Sequence, residues 1–196
     1  ARFLSAADGV AIALQGPPGT GKTTVTADVI TQLASQGKRV AVSSNSHPAI
    51  NQLLQRCQEA WQLSSTKTSV VKCTGSSRRP EDEDAFRGQG VACVLDRQLR
   101  PTMSVVGGTV FVFAKHDGEP FDLLVIDEAG QVPLANLLAM AHVARNILIV
   151  GDQQQLSLPT RADHPGDSGL SCLDYVMDRH AVVPEDRGVF LATSWR

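Results

Sequence analysis

Residues 16 to 23 read Gly16-Pro17-Pro18-Gly19-Thr20-Gly21-Lys22-Thr23 and fit the pattern G-x-x-x-x-G-K-[ST] at every position. Glycines at these spacings free backbone N–H groups to curl around an anion, and the positive end of a following helix adds to the attraction. The stretch Gly16 to Thr24 is therefore the expected site for nucleotide phosphates. Lys22 is expected to reach the β- and γ-phosphates and Thr23 to ligate Mg²⁺. A glycine-rich turn with an accidental lysine is the rival reading. It is disfavoured because an apolar strand-like run precedes the stretch and a helix-like run follows it.

A second chemical pair lies about a hundred residues on. FDLLVIDEAGQ is an apolar run that ends in Asp127 and Glu128. Ligands of open α/β sheets bind at the carboxyl ends of the strands, where these carboxylates would stand. Two neighbouring carboxylates can divide the work, with Asp127 in the Mg²⁺ shell and Glu128 accepting the proton of an attacking water. Alone, an Asp-Glu pair after a strand is usually solvated polarity; the upstream phosphate loop favours the chemical reading. One strand later GDQQQL places Asp152 and Gln155 at the same edge. A neutral amide both donates and accepts, which suits Gln155 to sensing a γ-phosphate or orienting a water.

These residues need a sheet to gather them. VAIALQ, KRVAVSS, SVVKCT, MSVVGGT, FDLLVI, ARNILIV and GVFLATSW read as short apolar strands. Helical spacing appears between several of them, first in Val25, Val29, Ile30 and Leu33, then in Ile50, Leu53, Leu54 and Cys57. Strands separated by helices imply a mostly parallel sheet with helices on both faces. Residues 75–102 interrupt this alternation as a small insertion without periodicity. Its acidic run, Glu81 to Asp84, is expected as a solvated loop or a helix start, and Arg78, Arg79, Lys67 and Lys72 as solvated surface charge.

Composition adds limits. The 196 residues, 42% of them hydrophobic, suffice for one sizeable core and are too few for two full domains. Eighteen Lys+Arg against twenty Asp+Glu give a formal charge of −2, so any contact with nucleic acid must be local. Cys57, Cys73, Cys93 and Cys172 are widely spaced without a C-x-x-C pair, which argues against a zinc ribbon or a redox dithiol. With neither a signal sequence nor an apolar run long enough to span a bilayer, a cytoplasmic location is expected and no membrane partner.

Taken in order, these motifs resemble the first RecA-like motor domain of superfamily 1 helicases, in the branch of the nonsense-decay helicase and the replication helicase-nucleases. GPPGTGKT is similar to motif I, VAVSSNSHPAINQLL to motif Ia, DEAGQ to motif II and GDQQQL to motif III. The fold so implied is a RecA-like P-loop NTPase domain over 1–196, with ATP and Mg²⁺ as ligands. The resemblance implies that Ser44, Asn45, His47 and Thr109 contact single-stranded nucleic acid, DNA in preference to RNA. LATSWR resembles the opening of motif IV, whose arginine approaches the γ-phosphate, so Arg196 is expected to be a catalytic cation and the chain to stop inside that motif. A second RecA-like domain would complete the motor. SNSHPAINQLL and RGVFLATSWR are most similar to bacterial proteins that carry a RecB-like nuclease domain upstream.

The expectation is thus half of an ATP-driven motor that translocates on single strands and, taken alone, is nearly inactive. A nucleotide kinase offers no place for GDQQQL. A nucleotide-gated binding switch without unwinding activity is the alternative, and Glu128 argues against it, since a switch needs no efficient general base.

Overall fold

The computed structural model describes residues 1–62, 69–153 and 166–194. Its elements run α1 (Arg2–Ala6), β1 (Ala11–Gln15), α2 (Lys22–Ser35), β2 (Val40–Ser43), α3 (His47–Gln62), β3 (Val70–Cys73), α4 (Pro80–Ala85) and β4 (Ala92–Val94). There follow β5 (Val105–Gly107), α5 (Val110–Phe113), β6 (Phe121–Ile126), α6 (Leu134–Met140), β7 (Ala144–Gly151), α7 (Cys172–Met177) and β8 (Gly188–Phe190). The strands form one sheet in the order β4-β3-β5-β2-β6-β7-β1-β8. Every pairing is parallel, so the carboxyl ends of all eight strands share one edge.

Apolar residues on alternate positions of the strands fill the two faces, as the period-2 pleat demands. Val40, Val42, Leu123, Val125, Leu148 and Val150 pack with Ile30 and Leu33 of α2 and with Ile50, Leu53, Leu54 and Cys57 of α3. On the other face Ala41, Leu124, Ile126 and Ile149 meet Phe113, Leu137, Met140 and Leu173. Of the apolar residues expected on α2, Ile30 and Leu33 are core, whereas Val25 is exposed. Short strands buried on both sides suit these continuous apolar runs.

The segment at 75–102 is more ordered than its lack of periodicity suggests. It supplies α4, and β4 extends the sheet by pairing with β3. Two expectations are overturned here. Lys72 in β3 has no exposed surface, and Asp82 in α4 is 1% exposed, where solvated charge was expected for both. Charges this deep must be compensated, and the two compensate each other in part. Asp82 also accepts a hydrogen bond from Asn51 Nδ2 at 2.9 Å and lies 3.3 Å from both His47 Nδ1 and Arg79 Nε. The helix start expected in the same acidic run is present.

Candidate nucleotide site and nucleic-acid groove

The loop of residues 16–21 joins β1 to α2, and its glycines meet distinct geometric demands. Gly19 and Gly21 adopt φ of 82° and 79°, a region that L side chains avoid. At Gly16 an added Cβ would come within 2.7 Å of Thr20 Oγ1 and 3.0 Å of Leu191 Cβ. Thr20 closes the turn by donating its hydroxyl to Pro17 O at 2.8 Å. Lys22, in the first turn of α2, folds back so that Nζ donates to Gly16 O at 2.5 Å and Pro17 O at 3.0 Å. Burial lowers the Lys22 ammonium below its ordinary range, with Asp152 and then Asp127 opposing that shift.

β6 carries the carboxylates to the same edge, and β7 runs between it and β1. Asp127 is buried, and its Oδ1 accepts the backbone N–H of Glu128 at 3.0 Å. Burial pushes its carboxyl up to about 6, aided by the Glu128 charge and resisted by the Glu128 N–H and by Lys22. Glu128 is held at φ 53°, ψ 41°, a left-handed conformation that costs a non-glycine residue on the order of 1 kcal/mol and often marks a functional position.

These residues line one cleft of about 400 Å³, bounded by Pro18, Gly19, Gly21, Lys22, Thr23 and Thr24 from the loop and α2, and by Asp127, Glu128 and Gly151 from the strand ends. Gln52 and Arg56 of α3 complete its wall. Sequence reading missed these two, because their relation to the loop is set by the packing of α3 beside α2. A hard cation such as Mg²⁺ takes oxygen ligands, and the Thr23 hydroxyl and the buried Asp127 carboxylate, both lining the cleft, offer such donors. The glycine cradle and the cationic Lys22 and Arg56 fit a polyphosphate. Gln155 and Arg196 lie outside the described residues.

The other half of the same edge forms a groove of about 590 Å³ beyond β2, β3 and β5. His47 and Thr109 both line it. Ser44 is buried at the end of β2 and Asn45 is exposed next to it; neither is among the groove's lining residues. Arg79, Arg97 and Lys115 bring cations to its walls, offset by Asp96 and Asp117. Phe111, 75% exposed, stands on its lip. Isolated exposed aromatics carry no periodic signal, which is why sequence reading does not single out this ring.

A parallel sheet with a phosphate loop after one strand, paired carboxylates after another and a third strand between them defines a P-loop NTPase domain. The chain belongs to the AAA domain family, whose profile matches residues 1–162, and within it the motif set is that of a superfamily 1 helicase RecA-like domain. It is 29% identical over 165 residues to the DNA replication ATP-dependent helicase/nuclease DNA2 of Saccharomyces cerevisiae, which covers 79% of this chain and 10% of that protein. The Gallus gallus protein of the same name is 25% identical over 159 residues, covering 80% of this chain and 16% of its own length. This chain thus spans a small fraction of the curated relatives it matches. It is also similar to the arterivirus nonstructural protein 10 helicase solved with DNA, at 16% identity and a TM-score of 0.47 over 82% of this chain and 32% of that one. Among the described residues no helix is long and apolar enough to cross a membrane.

Proposed function

We propose that this domain binds Mg²⁺-ATP and hydrolyses it as one half of a superfamily 1 motor that translocates on single-stranded DNA. The observation that carries the reading is the convergence of Lys22, Thr23, Asp127 and Glu128 on one cleft, with Glu128 in a strained backbone conformation. Loop N–H groups and Lys22 hold the β- and γ-phosphates, and Lys22 exchanges its two carbonyl partners for phosphate oxygens. Thr23 and Asp127 hold the cation, which supplies charge neutralisation at the transferring phosphoryl group. Glu128, which lines the same cleft from a left-handed backbone position, accepts the proton of the attacking water. Gln155 and Arg196 complete the γ-phosphate contacts in this scheme, and the rest of the clamp comes from a second RecA-like domain.

The groove supports the nucleic-acid half of the reading. Cations beside an exposed aromatic are the means by which single strands are held without sequence preference, through phosphate attraction and base stacking. His47, Thr109, Arg79, Arg97 and Lys115 are the polar contacts of this scheme and Phe111 the stacking surface. Ser44 and Asn45 are assigned to the strand's path beyond the groove. DNA is favoured because the relatives are named as DNA replication helicase/nucleases, and the same names are compatible with a RecB-like nuclease domain elsewhere in the protein. ATPase activity of the full-length protein, measured with and without oligo-dT, tests the motor. Strong stimulation that Lys22→Ala abolishes is expected; turnover indifferent to any single strand would leave the switch alternative in its place.

A further inference from the structure

Behind the groove lies a polar cluster that the ATPase scheme does not use. Asp82, carried by α4, faces His47 and Asn51 of α3 and Arg79 at its own helix start, as described above, and Lys72 of β3 is sealed beneath. Five buried atoms of this group, His47 Nδ1, Asn51 Oδ1, Lys72 Nζ, Arg79 Nε and Asp82 Oδ2, have no hydrogen-bond partner among the described residues. The charged members His47, Arg79 and Lys72 interact electrostatically with the Asp82 carboxylate. His47 is the member that reaches out: its Nδ1 is buried toward Asp82, while 28% of the side chain is exposed and lines the groove.

We propose that Asp82 is a positioning residue for the single-strand site: the insertion helix α4 holds His47 by Nδ1, so that Nε2 is the ring nitrogen offered to a backbone phosphate in the groove. This rests on the nucleic-acid reading of the groove given above. Nδ1 stands 3.3 Å from the carboxylate, and in the neutral tautomer that carries its proton on this side the ring presents only a lone pair at Nε2, which a phosphate cannot use. Uptake of one proton from solvent turns Nε2 into a donor, and the imidazolium then bridges Asp82 and the phosphate. Binding and protonation of His47 are therefore linked. Burial, Lys72 and Arg79 hold the free ring below its ordinary range, and Asp82 opposes them. The other charged or titratable groups on the groove are Asp96, Arg97, Lys115, His116 and Asp117, together with the Cys73 thiol, which burial pushes up.

The test has two arms. Without nucleic acid, NMR titration of the His47 ring reads the cluster directly: Asp82→Asn should move its midpoint to lower pH and Lys72→Met to higher pH. Opposite signs are not expected of two variants that merely loosen the fold. Unmoved or parallel midpoints overturn the proposal whatever the groove binds, and if Asp82→Asn does not fold, Lys72→Met alone decides that arm. In the second arm, anisotropy with labelled oligo-dT should show affinity rising roughly tenfold as the His47 ring is protonated, the equivalent of one added charge-assisted hydrogen bond. His47→Gln should flatten that rise and His116→Gln should keep it. A rise that survives His47→Gln and vanishes with His116→Gln overturns the proposal. Absence of any oligo-dT binding, with the NMR shifts as expected, refutes the nucleic-acid reading of the groove and with it the phosphate role of His47, leaving only the Asp82–His47 contact.

Discussion

The carboxylate of Asp127 accepts the backbone N–H of Glu128 at 3.0 Å, while Glu128 itself stands at φ 53°. One hydrogen bond and one left-handed residue thus mark the point where a buried strand ends and two consecutive carboxylates come to line the same cleft. A continued extended strand would send one to each face of the sheet.

Glu128→Gln should keep nucleotide binding and lower turnover of the full-length enzyme by about 10² to 10⁴, the usual worth of a general base. Glu128→Gly should lose turnover equally yet leave thermal stability nearly unchanged, because relief of about 1 kcal/mol of left-handed strain offsets glycine's larger entropy loss on folding. Steady-state ATPase and thermal melts check both. A glycine variant destabilised by about 1 kcal/mol or more, the uncompensated entropy cost, would show that the conformation is unstrained.

Lys22→Ala should abolish binding of Mg²⁺-ATP with little change in melting temperature. The lysine is half-buried and its polar partners are two loop carbonyls, so its removal opens no core cavity while deleting the counter-charge for the phosphates. Calorimetric titration at wild-type affinity would remove it from the site.

Asp127→Asn should separate stability from function. The Asp127 carboxyl is raised to about 6 in the fold and titrates near 3.9 in an unfolded chain. The folded state therefore favours the protonated form, and its contribution to stability is present at low pH and lost as pH rises through about 6. Amide replacement removes this, so the variant should be more stable at neutral pH by up to about 3 kcal/mol. The gain should fade below about pH 4. The same variant should lose the Mg²⁺ dependence of nucleotide binding. Denaturant melts across pH, with and without Mg²⁺ and nucleotide, read both effects.

Arg56→Ala should weaken ATP binding about tenfold, because the guanidinium lines the phosphate cleft from α3 and can give a charge-assisted hydrogen bond to phosphate. Its pairing with Glu59 at 2.9 Å is a surface contact between two exposed side chains, so stability should hardly change. Equal affinity for ATP in wild type and variant would place Arg56 outside the site.

Where chemistry is local in the chain, sequence alone determined it. The phosphate loop is a run of consecutive residues whose glycine spacing is its geometry, and the apolar runs that deliver it and Asp127 to one edge announce a parallel sheet through burial on both faces. Sheet order was decided in three dimensions: β4-β3-β5-β2 gathers His47, Thr109 and Arg79 from distant stretches into one groove, and the packing of α3 on α2 brings Gln52 and Arg56 to the nucleotide cleft. Lys72 and Asp82 mark the limit most plainly. Hydropathy assigns each of them to solvent, because periodicity counts neighbours along the chain. Only tertiary structure supplies the opposite charge and the amide that compensate a buried carboxylate, and these come from β3 and α3, elements that the sequence of α4 does not contain.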